Sequence, residues 1–159
     1  MIDRVFQMGE IYFAYGSNLW FEQMKARCPS AELIGLATLE KYRLCFPRRS
    51  PRWGGGVAGV EPDRMGKVEG VVYRMSSRDL LELDGYEGVA AGVYRRERVV
   101  VHTAEGAQEA WTYIPDPEDG APFRPSNSYI GTMIRGALEQ GLPGDWIRSL
   151  EGYRPGGGV

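Results

Sequence analysis

The chain has 159 residues, 43% hydrophobic and 25% charged, and its 19 basic residues stand against 21 acidic ones for a net charge of −2. That balance belongs to a globular protein rather than a disordered one, and it argues against one that holds nucleic acid by bulk positive charge. The single His and two Cys exclude any site that needs two His, a zinc finger or a disulfide framework.

Ile11-Tyr12-Phe13-Ala14-Tyr15 reads as a buried strand that runs into a Gly16-Ser17-Asn18 turn. A short helix over 20–27 follows, stopped by Cys28-Pro29. Residues 31–39 and 42–46 read as two strands, 47–56 as a loop rich in Pro, Arg and Gly, and 57–60 as a strand. Pro62 to Gly66 reads as a turn, and 68–74 as a clear strand. Ser76 is placed to cap a helix through Leu80, Leu81 and Leu83 that ends near Gly85. Residues 93–102 and 109–114 alternate as two strands joined by a hairpin turn at Glu105-Gly106. After a proline-rich loop, Ser126 caps a helix over about 128–140, which Gly141 ends. Pro143 then opens a last helix, and Gly156-Gly157-Gly158 reads as a frayed tail.

This order predicts an α+β fold, a mixed β-barrel or curled sheet of five to seven strands with flanking helices. One domain over 1–159 is expected, with its core at about 11–153 and a tail at 154–159. Cys28 and Cys45 read as reduced thiols. The chain shows no apolar run of the length of a signal peptide or a membrane span. A cytoplasmic protein with no membrane partner, no nucleic-acid partner and no metal is therefore expected.

Several motifs look chemical and are better read as ordinary. Gly54 to Gly59 satisfies G-x-G-x-x-G by letter, but the dinucleotide fingerprint needs a strand before it and a helix after it. Here strand-like residues follow. Ser17 lacks the G-x-S-x-G elbow of a hydrolase nucleophile. His102 reads as a plain strand residue. Arg48, Arg49 and Arg52 read either as a solvated loop or as a patch that favours an acidic substrate. Trp53 alone gives that loop too little aromatic surface to stack single-stranded nucleic acid.

Two segments ask for more than packing. The turn after Tyr15 aims several backbone N–H groups at one spot, as an anion or oxyanion cradle does. Glu87, between glycines in Leu83-Asp84-Gly85-Tyr86-Glu87-Gly88-Val89, can project into a cavity because its neighbours are small.

Together these segments resemble the γ-glutamylcyclotransferase family. Phe13 to Leu19 is similar to that family's F-x-Y-G-S-N-L loop, and Trp53 to Ala58 to its W-x-G-G-[IV]-A stretch. Leu83 to Val89 with Gly92-Val93-Tyr94 resembles L-D-x-x-E-G-V and G-x-Y. Pro125 to Tyr129 and Gly141-Leu142-Pro143 resemble P-S-x-x-Y and G-L-P. The resemblance implies a barrel around one cavity and a cofactor-independent enzyme, an acyltransferase or lyase that forms 5-oxoproline. It implies a small γ-glutamyl substrate and allows a homodimer. Glu87 takes the place of the catalytic glutamate; Tyr15, Gly16, Ser17, Asn18, Leu19 and Tyr129 take the places of substrate-binding residues. Two alternatives stay open within the same fold: a silent module that binds a small molecule or a partner, and a cyclotransferase for γ-glutamylamine isopeptides.

Overall fold

A computed structural model describes residues 9–155. The expected glycine tail at 156–158 lies outside the described residues. The aromatic run forms β1 (Glu10–Ala14), and its Tyr12, Phe13 and Ala14 are buried. A single 3-10 turn (Ser17–Leu19) follows it. Next comes α1 (Phe21–Arg27), which stops before Cys28-Pro29 because the residue ahead of a proline disfavours helix.

The next two strands differ from expectation. β2 (Glu32–Ser50) and β3 (Gly55–Met75) run 19 and 21 residues, where the sequence suggests two shorter strands in each. They pair antiparallel from Glu32↔Arg74 to Ser50↔Gly55, and register shifts absorb the local turn signals. At the shift between Glu40 and Tyr42, Lys41 takes φ 66°, and a bulge replaces the expected break. Pro62 stays within β3 opposite Tyr42, next to that bulge, where a missing N–H is tolerated. The expected loop over 47–56 shrinks to the turn Pro51–Gly54, with Gly54 at φ 74°.

α2 (Ser77–Glu87) begins as expected, with the Ser76 hydroxyl accepting from the Asp79 N–H. It does not end near Gly85. It runs to Glu87, and Gly88, at φ 70°, closes it by donating to the Asp84 and Gly85 carbonyls. Left-handed backbone at the residue after a helix is the stronger stop signal. Gly85 is tolerated on the exposed face.

β4 (Tyr94–Thr103) and β5 (Gly106–Pro115) form the expected hairpin, in register from Tyr94↔Pro115 to Thr103↔Gly106. The barrel closes in the order β1-β3-β2-β4-β5. β5 returns parallel to β1 at Tyr12↔Trp111 while the other pairs are antiparallel. The result is a closed, mixed, five-stranded barrel, and closure leaves no unpaired edge.

α3 (Asn127–Gln140) starts at the Ser126 cap and ends at Gly141, φ 76°; α4 (Gly144–Glu151) follows Pro143. α3 clamps the 3-10 turn onto the barrel. A Cβ on Gly136 would collide with the backbone of Leu19 and Trp20, so only glycine lets these elements approach so closely. Leu19, Met24, Leu83, Ile130 and Met133 are fully buried in the core. Among the described residues no helix is long and apolar enough to cross a membrane.

Candidate active site

The end of β1, the 3-10 turn, the last turn of α2 and the tip of the β2–β3 hairpin converge on one cavity of about 760 Å³. Glu87 ends α2, the negative end of the helix dipole, where a carboxylate gains nothing from the helix. It retains some surface on the cavity side. Desolvation is the strongest influence on its carboxyl. Against the lowering effects of Arg27 and Asn18, burial pushes it up from 4.5 to about 7. A carboxyl tuned to neutrality can both take and give a proton at working pH.

Asn18 is buried and its amide is fixed on both sides. Its Nδ2 donates to the Tyr12 hydroxyl at 3.0 Å and, over 3.4 Å, to Glu87 Oε1. Its Oδ1 accepts from Gln23 Nε2 and Arg27 Nη1, each at 3.1 Å. Gln23 and Arg27 stand four apart on α1, so one helix face presents both donors. Gln23 also donates to the Ser17 hydroxyl at 2.9 Å. The Asn18 carbonyl is held by the Tyr73 hydroxyl at 2.9 Å. The turn is thus pinned from its backbone, its side chains and α3 together.

Tyrosines line the remaining wall. The Tyr129 oxygen accepts the Ala58 N–H at 3.0 Å, which leaves its own proton for the cavity. Tyr94 donates to the Ala58 carbonyl at 2.8 Å. Tyr15 donates to the Tyr113 carbonyl, and Tyr113 donates to Asp84 Oδ1 at 2.6 Å. Burial pushes the hydroxyls of Tyr12, Tyr15, Tyr94 and Tyr129 up, so they stay neutral at neutral pH. A Cβ on Gly16 would stand 3.0 Å from the Tyr129 hydroxyl, so glycine keeps this corner open.

The structure brings Tyr15, Gly16, Ser17, Asn18, Glu87 and Tyr129 to one cavity. It places Leu19 elsewhere. That side chain is fully buried and packs against α3, where it supports the turn from below. Sequence reasoning missed Tyr12, Arg27, Tyr94 and Tyr113, which also line the cavity. Tyr94 carried a signal in the Gly92-Val93-Tyr94 stretch. Arg27 carried only its helical spacing from Gln23. Arg48, Arg49 and Arg52 reach the same cavity. His102 lies on β4 with its side chain half exposed, 3.8 Å from the Glu40 carboxylate. The Gly54 to Gly59 segment opens strand β3 rather than a helix.

A small closed barrel around a tyrosine-lined cavity that holds the Glu87 carboxyl is the setting of an AIG2-like protein, and the AIG2-like family model matches residues 67–150. The chain is 37% identical over 156 residues to the gamma-glutamylcyclotransferase of Mus musculus, covering 94% of this chain and 82% of that protein. It is 36% identical over 150 residues to the Homo sapiens protein of the same name, covering 91% and 79%. A solved structure of a gamma-glutamyl cyclotransferase superposes with a TM-score of 0.85 at 34% identity, covering 89% of this chain and 86% of that one. The chain belongs to the gamma-glutamylcyclotransferase family.

Proposed function

We propose that this chain converts a γ-glutamyl amide to 5-oxoproline and a free amine, with Glu87 as the proton carrier. The observation that carries this is the Glu87 carboxyl, raised to about 7 and held toward the cavity by Asn18. The substrate's own α-nitrogen attacks its γ-carbonyl carbon. A C–N bond closes the five-membered lactam, and the C–N bond to the departing amine breaks. Two protons leave the attacking ammonium and two reach the departing nitrogen, so the sum is balanced.

Glu87, as carboxylate, takes the first proton to free the nucleophile. Once protonated, it passes a proton to the leaving nitrogen as the tetrahedral centre collapses. Orientation does much of the rest, since a well-held intramolecular attack can lower a barrier by about 7–11 kcal/mol. Within the 3-10 turn the Leu19 and Trp20 N–H groups are taken by the Gly16 and Ser17 carbonyls, while the Ser17 N–H is directed at the Tyr129 oxygen and the Asn18 N–H has no acceptor within the turn. Together with the Tyr129 hydroxyl the Asn18 N–H is suited to the developing oxyanion. No nucleophilic Ser, Cys or His is needed, because the substrate brings its own nucleophile.

The test is product identification. Purified protein is incubated with γ-glutamyl-alanine and with ε-(γ-glutamyl)-lysine, without added metal or cofactor. The expected products are 5-oxoproline and the free amine in equal amounts. Release of glutamate instead would mean hydrolysis by water and would overturn the reading. No reaction with either compound would favour the silent binding module.

A further inference from the structure

We propose that the leaving-group end of the cavity is built for an amine that carries two carboxylates, received by Arg48 and Arg52. This rests on the cyclotransferase reading and names the substrate class within it. The glutamyl half folds into a five-membered ring as it reacts, so its own α-carboxylate stays beside the ring, close to Glu87. The cation at that end is Arg27, bonded to Asn18. The departing amine must extend away from the ring, toward the rest of the cavity.

That remainder is lined by the tip of the β2–β3 hairpin. Arg48, Arg49 and Arg52 all face the space that holds Glu87. Arg49 already has an opposite charge, since its guanidinium lies 4.0 Å from the Glu118 carboxylate and stacks on Phe123 at 4.7 Å. The other two are unanswered. Arg48 meets only the Asp116 carbonyl at 3.4 Å. Arg52 lies over the Trp53 ring at 5.9 Å. Neither has a carboxylate within ion-pair distance among the described residues. Two guanidinium groups on a cavity wall are ready-made partners for two carboxylates, and charge-assisted hydrogen bonds are the strong ones.

The hairpin tip is also fixed relative to the chemistry. Arg48 pairs opposite Val57, next to Ala58, whose N–H and carbonyl hold the Tyr129 and Tyr94 hydroxyls. Trp53 packs edge-on against Tyr129 with ring centres 5.1 Å apart. Gly54 N–H donates to the Ser50 carbonyl at 2.8 Å, and Gly56 N–H to the Arg124 carbonyl at 2.9 Å. The arginines thus stand on a braced turn joined to the catalytic wall. A cavity of about 760 Å³ has the size that receives drug-sized ligands, about 300–1,000 Å³. A γ-glutamyl group alone is smaller than that.

The experiment compares kcat/KM for γ-glutamyl-glutamate and γ-glutamyl-glutamine, which match in size and differ by one carboxylate. The expected result is about a tenfold preference for the glutamate compound. Arg48→Gln and Arg52→Gln should each shrink that ratio, and the double variant should bring it close to unity. Raising the salt concentration should shrink it in the unaltered protein, which reads the same attraction without any substitution. Equal rates for the two compounds, or a preference that survives both the double variant and salt, would overturn the inference while leaving the cyclotransferase reading intact. Release of 5-oxoproline from neither compound while γ-glutamyl-alanine is cleaved would also overturn the inference, and release from none of the three would overturn that reading itself.

Discussion

Replacing Glu87 by Gln is expected to stabilise the fold at pH 8 and to change little at pH 4. In the unfolded chain the carboxyl ionises near its ordinary value; in the folded protein it does so near 7, because burial disfavours the charge. The folded state therefore holds its proton more tightly than the unfolded one, and stability falls as pH rises between the two values. Below about 4.5 both states are protonated and nothing is lost. Above about 7 both are ionised and the full penalty stands.

At about 1.4 kcal/mol per pH unit, the rise from 4.5 to about 7 has a ceiling of roughly 3 kcal/mol. Glu87 as a residue is half-buried rather than sealed off, and solvent screening of a group in that position leaves about 1–2 kcal/mol. Gln keeps the shape without the charge. For a domain of this size that corresponds to a Tm about 2–8 °C above the wild type at pH 8. The assay is thermal unfolding followed by circular dichroism at pH 4, 6 and 8. A Gln variant that is less stable at pH 8, or that differs from wild type by the same amount at every pH, would refute the buried-carboxyl reasoning.

Three further substitutions probe the supports of the site. Asn18→Leu removes the donor to Glu87 and the acceptor for Gln23 and Arg27. The acid limb of the kcat/KM profile, expected near 7, should move to higher pH, and the rate should drop roughly 10–100-fold, as loss of a hydrogen bond to a charged group implies; stopped-time 5-oxoproline assays across pH read both. Gly136→Ala places a methyl group against the backbone of Leu19 and Trp20, so a loss of about 1–3 kcal/mol is expected in a urea titration. Tyr113→Phe takes the hydroxyl from Asp84 and should cost about 1–3 kcal/mol, read as a lower urea midpoint.

Those supports were the part least legible in the sequence. Local signals did well wherever one residue fixes the backbone. The caps at Ser76 and Ser126 and the left-handed Gly141 lie where their chemistry requires. Local signals failed where long-range pairing overrode them. Pro62 and the residues around Lys41 read as breaks, yet β2 and β3 continue past both because bulges accommodate them. Gly85 reads as a helix stop, yet α2 runs on until Gly88, and this places Glu87 on a helix rather than in a turn.

The turn from Tyr15 to Asn18 and Glu87 were visible as motifs, because a tight backbone and a carboxylate among small residues leave a local trace. Leu19 shares that motif but serves the core. Arg27 and Tyr12 reach Asn18 only through folding, and no short-range pattern announces such a contact.

The most direct test of the account is the rate of 5-oxoproline release from γ-glutamyl-alanine by wild type and by Glu87→Gln, side by side, with circular dichroism confirming that both are folded. The account predicts a fall of about 10²–10⁴-fold in the variant, the usual contribution of a positioned acid–base group. A folded variant that releases 5-oxoproline at the wild-type rate would contradict it.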